Sequence, residues 1–311
     1  MDVHIFQIQY SDVVDGCFDP AFSRYDCRRN PEPERREVAH MQRFYEERVQ
    51  GGAPEDYFGL VSPKFTDKTG LAGEKFVNWI KAHPGHDVYF INPFPQEGYW
   101  HHDVWSQGDF WHPGLIDLAE TLFHTAGLRL SLNAFPRNDK NTLLFSNYWV
   151  GTPRFWDIFM DFAHPVLDAV DRLPAETRNK LFETAPHTTP ATYFPFVFER
   201  LFSTLLILRK DISPRAYAWS REAVISRCRD PMERLIIREW GPVIDRWDES
   251  GGDIENYRNV FAGLWAMLRF VQDGFPELPA RPIPSRNAVG NGVGAVERIR
   301  SWLSKIRSFR S

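Results

Sequence analysis

The residues best placed to do chemistry lie in YFGLVSPKFTDKTG, residues 57 to 70, where an apolar, strand-like front half runs into Ser62, Lys64, Lys68 and Thr69. Two ammonium groups four residues apart beyond a buried strand can neutralise a diphosphate as point charges, with the two hydroxyls as donors to its oxygens. The spacing is not GxxxxGK[ST], so the segment is not a P-loop. The bland alternative makes both lysines solvated loop charges. Glu199 is the second focus: with Arg200 it interrupts PFVFERLFSTLL, a segment apolar enough to be buried. A buried charge is costly unless it is paired or used. Either the two residues pair with each other or with neighbours, or the Glu199 carboxylate faces a cleft and takes a proton from a hydroxyl.

A third concentration is QEGYWHHDVWSQGDFW, residues 96 to 111, which holds His101, His102, Asp103 and Asp109, with His112 next. It reads as a long loop. Tyr99, Trp100, Trp105, Phe110 and Trp111 are more large rings than a solvent-facing loop exposes, so they line a sugar or nucleoside cleft or fold over the core as a lid. No HExxH or CxxC spacing marks a protein-bound zinc, and a Mg or Mn ion would need oxygen ligands gathered in space. Asp87, opening DVYFINPFP, is one such carboxylate at the edge of a buried strand.

The elements that must position these groups follow from periodicity. VHIFQIQ (3 to 9), YFGLV (57 to 61), DVYFI (87 to 91), LRLSL (128 to 132) and TLLFSNYWV (142 to 150) read as strands. Between them, helical spacing runs through ERREVAHMQRFYEERV to Gly51-Gly52, through GEKFVNWIKA to Pro84, and through GLIDLAETLFHTAG. Thr152-Pro153 has the form of an N-cap and first helical residue for RFWDIFMDFAHPVLDAVDRL, with a kink expected at Pro165. From residue 194 onward only helices are expected. This alternation predicts an α/β domain with a mixed sheet over residues 1 to 211, a helical extension over 212 to 275, and a Pro/Gly-rich linker over 276 to 294.

Composition sets outer bounds. The 311 residues are 43% hydrophobic and include 11 tryptophans and 25 phenylalanines, which fits a folded chain with a large core. The formal net charge is −4, but residues 281 to 311 carry seven Arg/Lys against one Glu, so the body before them is acidic. An acidic body argues against general nucleic-acid binding. Residues 295 to 311 place Val296, Ile299, Trp302, Leu303 and Ile306 at helical spacing with arginines between them, the pattern of a basic amphipathic helix on an anionic membrane surface. The absence of a signal peptide, of a long apolar run and of paired cysteines leads to an expected cytoplasmic location, at the inner face of the membrane. Cys17, Cys27 and Cys228 are assigned no chemistry.

Four segments, in order, resemble bacterial GT-A-type (Rossmann-like) glycosyltransferases of capsule and envelope polysaccharide synthesis: DYFGLVSPKFTDKTG, DVYFINPFP, SNYWVGTPRFWDIFM and YFPFVFERLF. The resemblance implies a sugar-nucleotide donor bound across the carboxyl ends of the strands and transfer of its sugar to a hydroxyl of a glycan or lipid-linked acceptor. It places Gln7 and Tyr10 near the nucleotide, Lys64 and Lys68 near the diphosphate, Asn147 at the sugar and Glu199 close to the acceptor; the residues themselves add Ser62, Thr69 and Asp87 on the donor side and Asp109 as a second catalytic carboxylate. The Asp-x-Asp metal motif of such enzymes is missing, so Asp87 with Asp103 or Asp109 would have to serve a Mg or Mn ion, or Lys64 and Lys68 would replace it. Two other readings compete: a carbohydrate- or nucleotide-binding protein without turnover, and a glycoside hydrolase built on paired carboxylates.

Overall fold

Six strands form one mixed sheet: β1 (Val3–Gln9), β2 (Ser23–Asp26), β3 (Tyr57–Val61), β4 (Val88–Phe90), β5 (Trp149–Gly151) and β6 (Pro214–Ala216), in the order β2-β1-β3-β5-β4-β6. The computed structural model describes residues 1–11, 18–30, 33–186, 190–229, 231–251, 259–264 and 266. Pairings β1 with β2, β1 with β3, and β4 with β6 are parallel, whereas β5 is antiparallel to both β3 and β4. Five strands therefore point one way and β5 opposes them. Their carboxyl ends, with the start of β5, make one edge of the sheet, and β2 and β3 flank β1 on opposite sides, so the strand order reverses there.

The helices are α1 (Val38–Phe44, continued by a π turn to Val49), α2 (Phe65–Thr69), α3 (Gly73–Ala82), α4 (Val104–Trp111), α5 (Leu115–Thr125), α6 (Pro153–Ala169), α7 (Ala175–Leu181), α8 (Tyr193–Glu199), α9 (Leu201–Leu208), α10 (Arg221–Ser226) and α11 (Pro231–Ser250). Strand alternation divides the core in two. Phe58, Leu60, Val88, Phe90 and Trp149 point to the face covered by α1, α5, α6, α8 and α9, while Tyr57, Val61, Tyr89, Ile91, Tyr148 and Val150 pack with Phe65, Phe76 and Ile80 on the other. Each fully buried large apolar side chain contributes roughly 1.5–3 kcal/mol, so the many aromatic residues are chiefly core. Gly59 lies where β3 and β5 meet most closely: a Cβ there would stand 2.7 Å from Val150 Cγ2 and 3.0 Å from the Trp149 carbonyl oxygen. α6 begins as its sequence predicts, with Thr152 Oγ1 accepting from the Phe155 amide at 3.2 Å, and it runs through Pro165 unbroken.

Several expectations need correction. LRLSL is not a strand, because Leu132 N–H is satisfied at 2.7 Å by the Glu120 carboxylate instead of a neighbouring strand. TLLFSNYWV yields only Trp149 and Val150, the first two residues of β5, because Leu144 N–H donates to Ser203 Oγ at 2.9 Å and the backbone turns left-handed at Ser146 and Asn147. The aromatic loop is largely helical: a 3-10 turn (Pro95–Tyr99) leads to α4, and Trp100 and Trp105 are core. The boundary expected at residue 211 does not fall there, since β6 completes the sheet and residues 1 to 268 form one unit. The expected linker and basic helix lie outside the described residues. Among the described residues no helix is long and apolar enough to cross a membrane.

Candidate functional site

At the carboxyl edge, β3 delivers Ser62, whose Oγ lies 2.9 Å from Tyr148 Oη, and Phe65 anchors α2 in the core so that Lys68 leans toward the sheet. Lys68 Nζ donates to Ser146 Oγ at 2.9 Å and stands 5.9 Å from the Phe94 ring centre and 6.0 Å from that of Tyr148. Ser146 and Asn147 have φ of +70° and +49°. Two consecutive non-glycine residues in the left-handed region store strain of order 1–2 kcal/mol each, less for asparagine, and such strain concentrates at binding sites. On the far side of this turn, the Ser146 backbone lies beside the carboxylate of Glu199, the last residue of α8.

The electrostatics are those of a shared cluster. Burial raises the Glu199 carboxyl above the usual glutamate value and Glu37 adds to the rise, while Arg200, Lys68 and the Ser146 N–H oppose it. Glu199 is only half-buried by accessible surface, yet protein is dense around its carboxylate; it sits at the rim of a tightly packed shell. The Tyr148 phenol is pushed far up, first by burial and then by Glu37, Glu199 and Asp67, with the Ser62 bond working against the rise. Asn147 Oδ1 is buried with no hydrogen-bond partner among the described residues. Gln96 Oε1, His102 Nε2 and Trp149 Nε1 share that condition, but none of those three residues has a positive φ.

Ser62, Lys68, Asn147 and Glu199 thus meet, and the rest of the sequence-selected residues do not join them. Lys64 is exposed at the residue preceding α2. Gln7 is fully buried, donating to the Pro63 carbonyl at 3.1 Å and accepting from the Asp19 amide at 2.8 Å, so it ties β1 to the loop after β3. Tyr10 is 52% exposed just beyond β1. Thr69 Oγ1 is used inside its own turn, donating to the Phe65 carbonyl at 2.7 Å and accepting from the Leu71 amide. Asp87 belongs to the opposite edge, before β4, where it pairs with Arg154 at 2.7 Å and accepts from the Ser213 amide. Asp109 accepts from the amides of Gly114 and Ile116 at 3.0 and 3.1 Å, holding the start of α5. It is a structural carboxylate.

The expected metal ligands do not fit a divalent ion at this edge. Asp103 caps α4 through the Trp105 and Ser106 amides and pairs with His102 at 3.0 Å, Asp109 caps α5, and Asp87 is on the wrong edge. The three ligand-type groups that do approach one another among the described residues, Asp2, His4 and Asp56, lie at the amino ends of β1 and β3. Sequence reading missed Ser146, Tyr148, Phe94 and Glu37. The Ser-Asn pair before an aromatic strand start was the available signal, since both residues favour turns and asparagine tolerates the left-handed region. Compared with family models, with curated proteins and with solved structures, the chain matches none, so the fold and the residues at this edge carry the functional argument alone.

Proposed function

We propose that the protein is a glycosyltransferase with a GT-A-like sheet, moving a sugar from a sugar nucleotide to a hydroxyl of a cell-envelope glycan or lipid-linked acceptor. The observation that carries this reading is the single strained turn, Ser146-Asn147, with the Lys68 ammonium on one side and the Glu199 carboxylate on the other. It lies at the strand edge where open α/β sheets bind ligands. In the reaction the acceptor hydroxyl oxygen forms a bond to the anomeric carbon, the bond from that carbon to the diphosphate breaks with its electron pair, and the hydroxyl proton passes to Glu199. Burial supports that last role, because a carboxyl raised above its usual range is better matched to a proton taken near neutral pH. Lys68 meets the charge that develops on the departing diphosphate. Asn147 Oδ1 accepts from a sugar hydroxyl, which satisfies its unpartnered oxygen.

Asp109 does not serve as the second carboxylate of a hydrolase, since it is committed to α5. The basic segment 295 to 311 is proposed to hold the enzyme peripherally at the inner membrane face; removing it should abolish co-sedimentation with anionic vesicles, and undiminished binding would refute the role. The site itself is tested by thermal unfolding with a panel of nucleoside diphosphates and sugar nucleotides. A selective ligand at 100 times its Kd stabilises by about 2.7 kcal/mol, and Lys68→Ala should remove most of that shift while Lys64→Ala leaves it. Equal shifts in wild type and Lys68→Ala would remove the donor from this site.

A further inference from the structure

A second cationic feature lies on the same edge of the sheet, at the end of β2. The parallel register sets Gln9 opposite Asp26, and Cys27 N–H continues the pairing by donating to the Gln9 carbonyl at 2.8 Å. The chain then leaves the sheet through Arg28 and Arg29. With Asp26 and with Arg43 from α1, these arginines line a cavity of about 360 Å³. Three guanidinium groups and one carboxylate line it, and a second carboxylate, that of Glu47, stands 3.8 Å from Arg43 Nε.

Two of the three are held in place. Arg28 grips Asp26 with both arms of its fork, Nε to Oδ1 at 2.9 Å and Nη2 to Oδ2 at 2.7 Å, and its backbone N–H bonds the same carboxylate at 3.0 Å. Those contacts hold the Asp26 carboxyl well below the usual range, so it stays ionised and the Arg28 plane stays oriented. Arg43 donates from Nε to Tyr25 Oη at 2.9 Å and from Nη2 to the Asp26 carbonyl at 2.6 Å, and lies 4.8 Å from the Tyr25 ring centre. Arg29 is exposed and makes no hydrogen bond or ion pair with another described residue. Arg29, exposed beside two guanidinium groups fixed in this way, presents the planar fork that recognises phosphate by paired hydrogen bonds, and its neighbours supply positive potential.

We propose that this arginine-lined cavity is an anion site for a phosphate group, separate from the Lys68 cluster. The proposal does not depend on glycosyl transfer, because it concerns binding alone. Within that reading the phosphate has two sources, the donor's diphosphate or the phosphate of a lipid-linked acceptor. The Lys68 cluster already answers the first, and the exposed Tyr10 ring at the end of β1 offers an apolar neighbour for the second.

The test is calorimetric titration of the full chain with inorganic pyrophosphate at low and physiological salt, in wild type, Arg29→Ala, the double variant Arg28→Ala/Arg29→Ala, and a control that removes two remote arginines, Arg172→Ala/Arg178→Ala. The double variant should weaken pyrophosphate by about tenfold or more, from the loss of charge-assisted hydrogen bonds, with the control within about twofold of wild type. Arg29→Ala, at an exposed side chain, keeps the test valid if the double variant misfolds; it should lose about threefold or more in affinity. No binding in wild type, or equal loss in the control, overturns the site. Repeating the titration with a nucleoside diphosphate and a short-chain prenyl phosphate assigns the source: the ligand whose affinity falls in the double variant but not in Lys68→Ala is the one the cavity holds, and a fall for neither overturns the role.

Discussion

Glu199 and Arg200 are consecutive in the chain and belong to two regions with opposite chemistry. Arg200, 2% exposed, turns inward and donates to the Val104 carbonyl at 2.7 Å, the Phe196 carbonyl at 2.5 Å and Gln107 Oε1 at 2.6 Å. Burial lowers its guanidinium to about 10, with Glu199 and Asp103 opposing the shift. Nearby Arg137 donates to the carbonyls of Gly98, His101 and His102 and pairs with Asp248 at 3.1 Å. These charges are consumed by carbonyls of α4, of the turn before it and of α8, and by the Gln107 and Asp248 side chains. Glu199 faces a different setting, with a strained turn, an unpartnered amide oxygen and a carboxyl raised by burial. The comparison teaches that burial of a charge is a poor guide to function; what separates the regions is the backbone, relaxed around Arg200 and left-handed at two consecutive residues beside Glu199.

That contrast breaks most visibly at Arg200. Arg200→Ala should cost about 3–5 kcal/mol in a urea unfolding series, since it removes a large buried side chain and strands three acceptors. An effect below about 1 kcal/mol would show that the guanidinium is not structural. Gly108→Ala is the milder form of the same experiment: a Cβ at this position would collide with Nε of Arg200, and overpacking of this kind costs roughly 1–3 kcal/mol. Asn147→Gly should do the reverse, leaving stability unchanged or raising it by up to about 1 kcal/mol while weakening donor binding, because glycine relieves the positive φ and removes the unpartnered oxygen. A variant that loses stability and keeps ligand affinity would make the turn structural.

The smallest effect is expected from protonation. Below the usual glutamate value both folded and unfolded chains carry a proton on Glu199, and the group costs nothing. As pH rises through the raised folded value, the folded protein must ionise a carboxyl in dense surroundings that the unfolded chain ionises in water, so stability falls. Glu199→Gln should flatten this fall across the acid-to-neutral window of a stability-against-pH curve. An identical slope in both proteins would mean that the carboxyl is not perturbed.

Much of the sheet was legible because strand alternation and helix caps are local signals: YFGLV, DVYFI and Thr152-Pro153 all mark the elements they form. β6 was not, since PRA is a short edge strand whose identity comes from pairing with β4. The site was half legible. Lys68, Ser62 and Glu199 stood out by chemistry and Asn147 by the family resemblance, whereas Asp109, Asp87 and Thr69 had equally suitable residue types but different duties. Helix-capping and turn bonds depend on where a neighbour's amides end up, which spacing alone does not encode. Ser146 gave little warning, because its importance lies in a backbone angle and in two side chains that meet it from distant parts of the chain.

The most direct trial of the central claim is single-turnover cleavage of the donor that binds best, measured with its acceptor for wild type, Glu199→Gln and Lys68→Ala. The account predicts that Glu199→Gln binds donor normally and loses transfer by about 10²–10⁴-fold, the usual contribution of a positioned base, and that Lys68→Ala loses both binding and transfer. Transfer at the wild-type rate in Glu199→Gln, or no turnover of any sugar nucleotide by the wild-type protein, would contradict it.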